Sequence, residues 1–284
     1  MQGKDKNIYA EVKEHFRIFY KDIFPENKGQ FERHFDDNIK LEASEKLFET
    51  VKISADINRD SKILDIGCGF GSFVLFCRKK GFAAYGIDSS DYEINFAKRR
   101  FFRETSVSLG GIYQRASAEA LPFKKDSFDV VTLWNLLEHV PDYKKVLDEA
   151  DRVLKKGGTL FLVAPNYLTI REEAHYHIMW FSVIPRRLAI SYLKMRGKDP
   201  KFFLNNIFYV TGPGVSGYLK GKGYVLGVDN ILKLDNSALC HSKWKAKLIN
   251  LIEKMYLKPF LKKLIMLNYF NPFKSVINIC SKKR

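Results

Sequence analysis

The sequence predicts a doubly wound α/β fold built on a mainly parallel sheet, and three observations carry that expectation. Short apolar runs alternate with amphipathic stretches through the middle of the chain, which gives parallel strands with helices on both faces. The first run, Ile63-Leu64-Asp65-Ile66, leads into Gly67-Cys68-Gly69-Phe70-Gly71. Glycine at every second position lets the backbone bend sharply and approach a ligand that a Cβ would hold off. The second run ends in Asp88, about twenty residues on, where nucleoside-binding α/β proteins place a carboxylate on the ribose hydroxyls.

Residues 1–60 form an expected N-terminal helical cap. Glu11 to Phe24 carries Val12, Phe16, Phe19, Tyr20 and Ile23 at helical spacing, and a second helix runs from Phe35 to Val51 through Ile39, Leu41, Leu47 and Phe48. Strands are expected near 62–66, 83–87, 112–116, 128–133 and 158–164, with helices near 71–80, 90–103 and 142–154. Pro141 at the start of the last helix and Gly157-Gly158 after its end match the usual punctuation. Residues 166–210 are rich in Tyr, His, Trp and Arg. A connection that long is functional or disordered, and its aromatic content points to a substrate lid. A helix over 211–221 and a strand over 224–228 complete a domain spanning 61–235.

Residues 236–284 read as a basic helical tail. Trp244, Leu248, Leu251, Ile252 and Met255 share one helical face, and Leu261, Leu264, Ile265 and Tyr269 resume the pattern after Pro259. Such a helix either lies on an anionic membrane surface or packs on the domain with a solvated lysine face.

Charge follows the same division. The 284 residues carry a formal charge of +16, and Leu239 to Arg284 contribute eleven Lys or Arg against Glu253 alone. An anionic partner is implied, and the signal belongs mostly to the tail. The four cysteines have no metal-ligand spacing, so no metal is expected and a reducing cytosolic setting is. The N-terminus lacks the apolar core of a signal peptide, and no apolar run reaches the roughly twenty residues of a membrane span. A cytoplasmic protein, peripheral at the inner face of the membrane through its tail, is the resulting expectation. The oligomeric state is left open.

The glycine loop decides which nucleoside. A dinucleotide fingerprint needs a third glycine where Ser72 stands. Asp65 at the strand end would repel a pyrophosphate and suits a cationic amino-acid end. Here the chain resembles the class I S-adenosylmethionine-dependent methyltransferases, especially the small-molecule branch with the quinone and sterol methyltransferases. The likeness continues through Ala118-Glu119-Ala120-Leu121-Pro122-Phe123, Ser127-Phe128-Asp129-Val130-Val131, Leu136-Leu137-Glu138-His139-Val140 and Leu154-Lys155-Lys156-Gly157-Gly158. It covers residues 60–166 closely and 205–230 loosely.

The resemblance implies a seven-stranded Rossmann-like methyltransferase sheet and S-adenosyl-L-methionine as cofactor. Asp65, Gly67, Cys68, Gly69 and Gly71 would surround its amino-acid end, Asp88 and Ser89 its ribose, Ser117 and Ala118 its adenine, and Asn135 its methionine portion. The family commonly has Asp where Ser117 stands, so the adenine contact is either weaker or passes to Glu119. Glu138 and His139 fall in the segment that passes the transfer site in the family, where His139 is a candidate base or a loop cap. His175 and His177, two apart in the insertion, are candidates for base or metal ligand.

The favoured activity is methyl transfer to oxygen or carbon of a small or lipid-linked acceptor, of isoprenoid or polysaccharide-intermediate type. A nucleic-acid methyltransferase is the first alternative, raised by the charge. It is weakened by Trp134-Asn135-Leu136-Leu137, where base-modifying relatives carry a stacking motif. A non-catalytic cofactor-binding module is the second.

Overall fold

The computed structural model of the chain describes residues 8–19, 28–108, 110–173, 175–181, 183–226 and 276–284. Three helices precede the sheet: α1 (Ile8–Phe19), α2 (Lys28–Ile39) and α3 (Leu41–Ala55). The single helix expected over 35–51 is two, because Lys40 adopts an extended ψ of 148° between them. Val12, Phe16, Phe35 and Ile39 bury against Phe70 and Phe96, so the cap seats on the glycine loop.

Strand and helix then alternate as β1 (Lys62–Ile66), α4 (Ser72–Lys79), β2 (Ala83–Asp88), α5 (Asp91–Thr105), β3 (Tyr113–Arg115) and β4 (Phe128–Trp134). A 3₁₀ turn (Leu137–His139), α6 (Tyr143–Val153) and β5 (Leu154–Pro165) follow. The insertion carries a two-stranded hairpin, β6 (Arg171–Glu172) and β7 (Met179–Trp180), and two helices, α7 (Arg186–Met195) and α8 (Lys201–Asn206). It has a core of its own, with Tyr167, Trp180, Leu193 and Phe203 almost wholly buried. The remaining elements are α9 (Gly212–Gly221), β8 (Val225–Leu226) and β9 (Val276–Lys282).

The sheet has seven strands in the order β3-β2-β1-β4-β5-β9-β8. The pairs from β3 through β5 are parallel, and β9 is antiparallel to both neighbours. Successive strand residues point to opposite faces. Ile63, Ala84 and Val130 accordingly meet α3, α4 and α5, while Leu64, Val131 and Leu160 meet α6 and α9. The order reverses between β1 and β4, and a crevice opens at the carboxyl ends of strands at such a point.

The end of the chain departs from expectation. Its last described residues are not helical tail but an inner strand, paired with β5 from Thr159↔Lys282 to Pro165↔Val276. The β-branched Val276, Ile277 and Ile279 after Pro272 were the available signal. The two amphipathic stretches expected between 244 and 269 lie outside the described residues.

Candidate active site

The β1–α4 turn and the end of β2 form one hydrogen-bonded unit. Gly67 and Cys68 both donate their N–H to the Ile87 carbonyl at 2.9 Å. The Gly69 N–H donates to Asp88 Oδ2 at 3.0 Å, and the Ser90 N–H to Oδ1 at 2.9 Å. The Asp88 carboxylate is thereby fixed beside the loop with lone pairs left to accept from a ligand. Gly67 and Gly69 have φ of 74° and 50°, which L side chains rarely adopt, and a Cβ on Gly67 would lie 2.9 Å from Leu136.

These residues open onto a cavity of about 910 Å³, large enough for a nucleoside and an acceptor together. Asp65, Gly67, Cys68, Gly69, Asp88, Ser89, Ser117, Ala118, Glu119 and Asn135 line it, as do Glu138, His139 and His175. Two expected site residues stand elsewhere. Gly71 is outside the lining because its bare Cα makes room for Ala97 and Tyr113, each 2.7 Å from where a Cβ would be. It is a packing glycine. His177 has a left-handed φ of 51° in the hairpin turn and is also outside the lining. Among the described residues no three His, Cys, Asp or Glu side chains converge as a metal site.

The electrostatics of the cavity select for a cation. Asp65 is buried and accepts from Thr132 Oγ1 at 2.6 Å. Burial, reinforced by Asp88 and opposed by that hydrogen bond, pushes its carboxyl up to about 7. Glu93, in the first turn of α5, is also raised to about 7, by burial and then by Asp88. Three acids crowded in low dielectric favour a positively charged ligand and disfavour a pyrophosphate. One buried donor is also available in the wall, since Trp134 Nε1 has no acceptor among the described residues. A ligand with an ammonium, a carboxylate and a ribose matches this set of groups.

Glu93 and Trp134 were missed by sequence reasoning, as was Glu173. Glu173 is almost fully buried, and its carboxylate collects four donors. Tyr167 Oη lies at 3.1 Å and His175 Nδ1 at 3.0 Å from Oε1, with the His175 and Tyr176 N–H groups at 2.7 and 2.9 Å from Oε2. His139 donates Nδ1–H to the Asn206 carbonyl at 2.8 Å, and its ring meets that of His175 edge-on at 5.1 Å. Burial and then the neighbouring His175 lower His139 to about 4, so it is neutral at physiological pH. The only advance signal for Glu173 was its place two residues before His175.

The segment from β1 to β5 carries the likeness to a known family. A family model described as a methyltransferase domain matches residues 64–162. An uncharacterised protein of Methanocaldococcus jannaschii is 30% identical over 179 residues, covering 60% of this chain and 73% of its own. A ubiquinone biosynthesis O-methyltransferase of Colwellia psychrerythraea is 37% identical over 108 residues, or 38% of this chain and 43% of that protein. A demethylmenaquinone methyltransferase of Lactococcus lactis is 34% identical over 125 residues, or 43% and 48%. The chain thus spans most of the archaeal relative but under half of these two quinone enzymes. A candidate sarcosine dimethylglycine methyltransferase from Galdieria sulphuraria shares the fold, with a TM-score of 0.52 at 15% identity over 95% of this chain and 98% of that one. With the glycine turn, Asp88 and an acid-lined cavity lying within or beside the matched segment, the chain belongs to the class I S-adenosylmethionine-dependent methyltransferases, and S-adenosyl-L-methionine is its cofactor.

Proposed function

We propose that the protein methylates a hydroxyl oxygen on a small ring acceptor, with His175 as the general base and Glu173 as the residue that positions it. The observation that carries this reading is His175 in the wall of the cofactor cavity, with its Nδ1 3.0 Å from Oε1 of buried Glu173. When bound, the cofactor supplies an activated methyl group on a sulfonium. The protein is left to align the acceptor and remove its proton.

Asp65 and Glu93 would hold the cationic end, Asp88 the ribose hydroxyls, and Ser117, Ala118 and Glu119 the base. Trp134 Nε1 and Asn135 would hold the carboxylate. At the other end, His175 donates Nδ1–H to Glu173, which fixes the tautomer and leaves Nε2 to receive a proton. Nε2 of neutral His139 is left to accept from a second hydroxyl of the acceptor. The insertion acts as the lid. Phe202, 5.0 Å from the His175 ring and 6.4 Å from that of His139, adds an apolar wall suited to a ring. The names of the quinone relatives agree with a ring acceptor bearing an apolar, isoprenoid-type substituent. A lipid-linked acceptor would bring the enzyme to a membrane surface.

The test supplies methyl-labelled cofactor and paired acceptors, hydroxylated and dehydroxylated. Label should enter only the hydroxylated ring. His175→Ala should lower kcat by roughly a hundredfold or more at unchanged cofactor affinity. Glu173→Gln should lower kcat less, with KM for the acceptor unchanged. Equal labelling of both acceptors, or unchanged kcat in His175→Ala, overturns the reading.

A further inference from the structure

Apolar exposure on this molecule is concentrated in one place. Eleven large apolar side chains are exposed among the described residues, and seven of them belong to the insertion over 166–210. Four form a continuous face. Leu188 and Met195, 60% and 77% exposed, are two turns apart on α7 with Tyr192 between them. The Tyr192 ring lies 5.8 Å from that of Phe181, and its Oη donates to the Met179 carbonyl at 2.7 Å. Met179 and Phe181, flanking buried Trp180, are themselves 53% and 46% exposed.

The interior side of the same elements is already satisfied. Ala189, Leu193 and Trp180 fill the core of the insertion, and Arg186 is committed to the carbonyls of Phe203, Leu204 and Ile207. The outward face is therefore not a poorly packed core. Folding the insertion does not require it to be apolar, and leaving it in water is unfavourable.

Charge indicates what covers it. From Ala174 to Lys198 there is no Asp or Glu, whereas Arg187, Lys194, Arg196 and Lys198 border the apolar residues. Apolar side chains bordered by four cations, with Glu172 (the ladder partner of Met179), buried Glu173 and Asp199 the nearest acids in sequence, match an interface of acyl chains beneath anionic headgroups. We propose that this face of the insertion is a docking surface for an anionic lipid bilayer, with Phe181, Leu188 and Met195 entering the acyl boundary and the four cations meeting headgroup phosphates. The hairpin that presents Met179 also carries His175 in its turn, so docking brings the cavity wall within a few residues of the lipid. This inference goes beyond the reading of the reaction, and its test uses no methyl transfer.

The full chain is sedimented with phosphatidylcholine vesicles, with and without phosphatidylglycerol. Two double variants are compared with it, Leu188→Ser with Met195→Ser and Arg187→Glu with Lys194→Glu. All four positions are exposed, so unchanged calorimetric affinity for S-adenosylhomocysteine reports an intact fold. The expected result is binding that needs phosphatidylglycerol, weakened about tenfold or more in the serine variant and about thirtyfold in the charge-reversed one. Sedimentation of both variants like the parent overturns the proposal and moves any binding to residues 227–275. Equal binding to neutral vesicles, or none, overturns it too. A solution dimer broken by the serine variant, without vesicle binding, assigns the face to a second copy instead.

Discussion

Asp65 shows at the scale of one residue how a carboxylate can be both costly and selective. Its folded value near 7 stands above the ordinary 3.8. A raised value means that its contribution to stability is complete below about pH 4 and is lost as pH rises through 7. A bound ammonium reverses the balance by favouring the charged form. Ligand-free protein should therefore lose thermal stability between about pH 4 and 7, and S-adenosylhomocysteine should protect it most at the alkaline end. Asp65→Asn should flatten the ligand-free profile and weaken the ligand about tenfold or more. Glu93, raised to the same value, requires the same measurement on Glu93→Gln to apportion the effect. Melting curves of Asp65→Asn that retain the full slope would falsify this assignment. Asp65, Asp88 and the first two glycines were legible in sequence because a turn of bare backbone between two acids has few other uses. Glu93 and Trp134 were not, since a first-turn acid and a strand-end aromatic are ordinary where they occur, and only burial distinguishes them.

Among the elements, one buried arginine joins the N-terminal cap to the cofactor domain. Arg100 on α5 donates Nε–H to Glu104 Oε1 at 2.8 Å and a guanidinium N–H to Ser72 Oγ at 2.7 Å. Ser72 Oγ in turn donates to the Asn38 carbonyl at 2.6 Å, at the end of α2, where Asp37 and Asn38 line the cavity. Tyr9 of α1 donates to Glu104 Oε1 at 2.7 Å, and Lys79 of α4 pairs with the same carboxylate. Burial works against the charge on Glu104, but hydrogen bonds from Lys79, Arg100 and Tyr9 outweigh it and hold the carboxyl at about 2. A lowered value contributes stability above the ordinary 4.5, lost as pH falls toward 2. Arg100→Met removes the buried partner shared by Glu104 and Ser72 and should cost on the order of 3 kcal/mol in urea denaturation, with weaker cofactor binding because the α2 wall loosens. A loss under about 1 kcal/mol would place the cap's attachment in its apolar contacts instead. Helical spacing announced the cap, but Arg100 reaches Ser72 across 28 residues of sequence and Tyr9 reaches Glu104 across 95, beyond any local pattern.

Across the whole molecule, β9 changes what the basic segment is. Periodicity made everything from Asn236 onward look like an appendage, because a seven-residue strand carries little signal beside two amphipathic stretches. The strand instead lies inside the sheet, between β5 and β8. Its far end is locked where Lys283 Nζ donates to the carbonyls of Asp151 and Leu154, at 2.7 and 2.9 Å. Residues 227–275 are thus flanked on both sides by paired strands, Leu226 on one and Val276 on the other. An inner strand leaves two ladders unpaired when removed, and buried backbone groups without partners are strongly unfavourable. Deleting 276–284 should therefore abolish cooperative unfolding and cofactor binding together, while replacing 236–270 by a short flexible linker should spare both. Circular dichroism melts with calorimetry of S-adenosylhomocysteine distinguish the two deletions. If the chain cut after residue 275 still melts cooperatively and binds the ligand, β9 is dispensable, and the sheet closes on β5 without it.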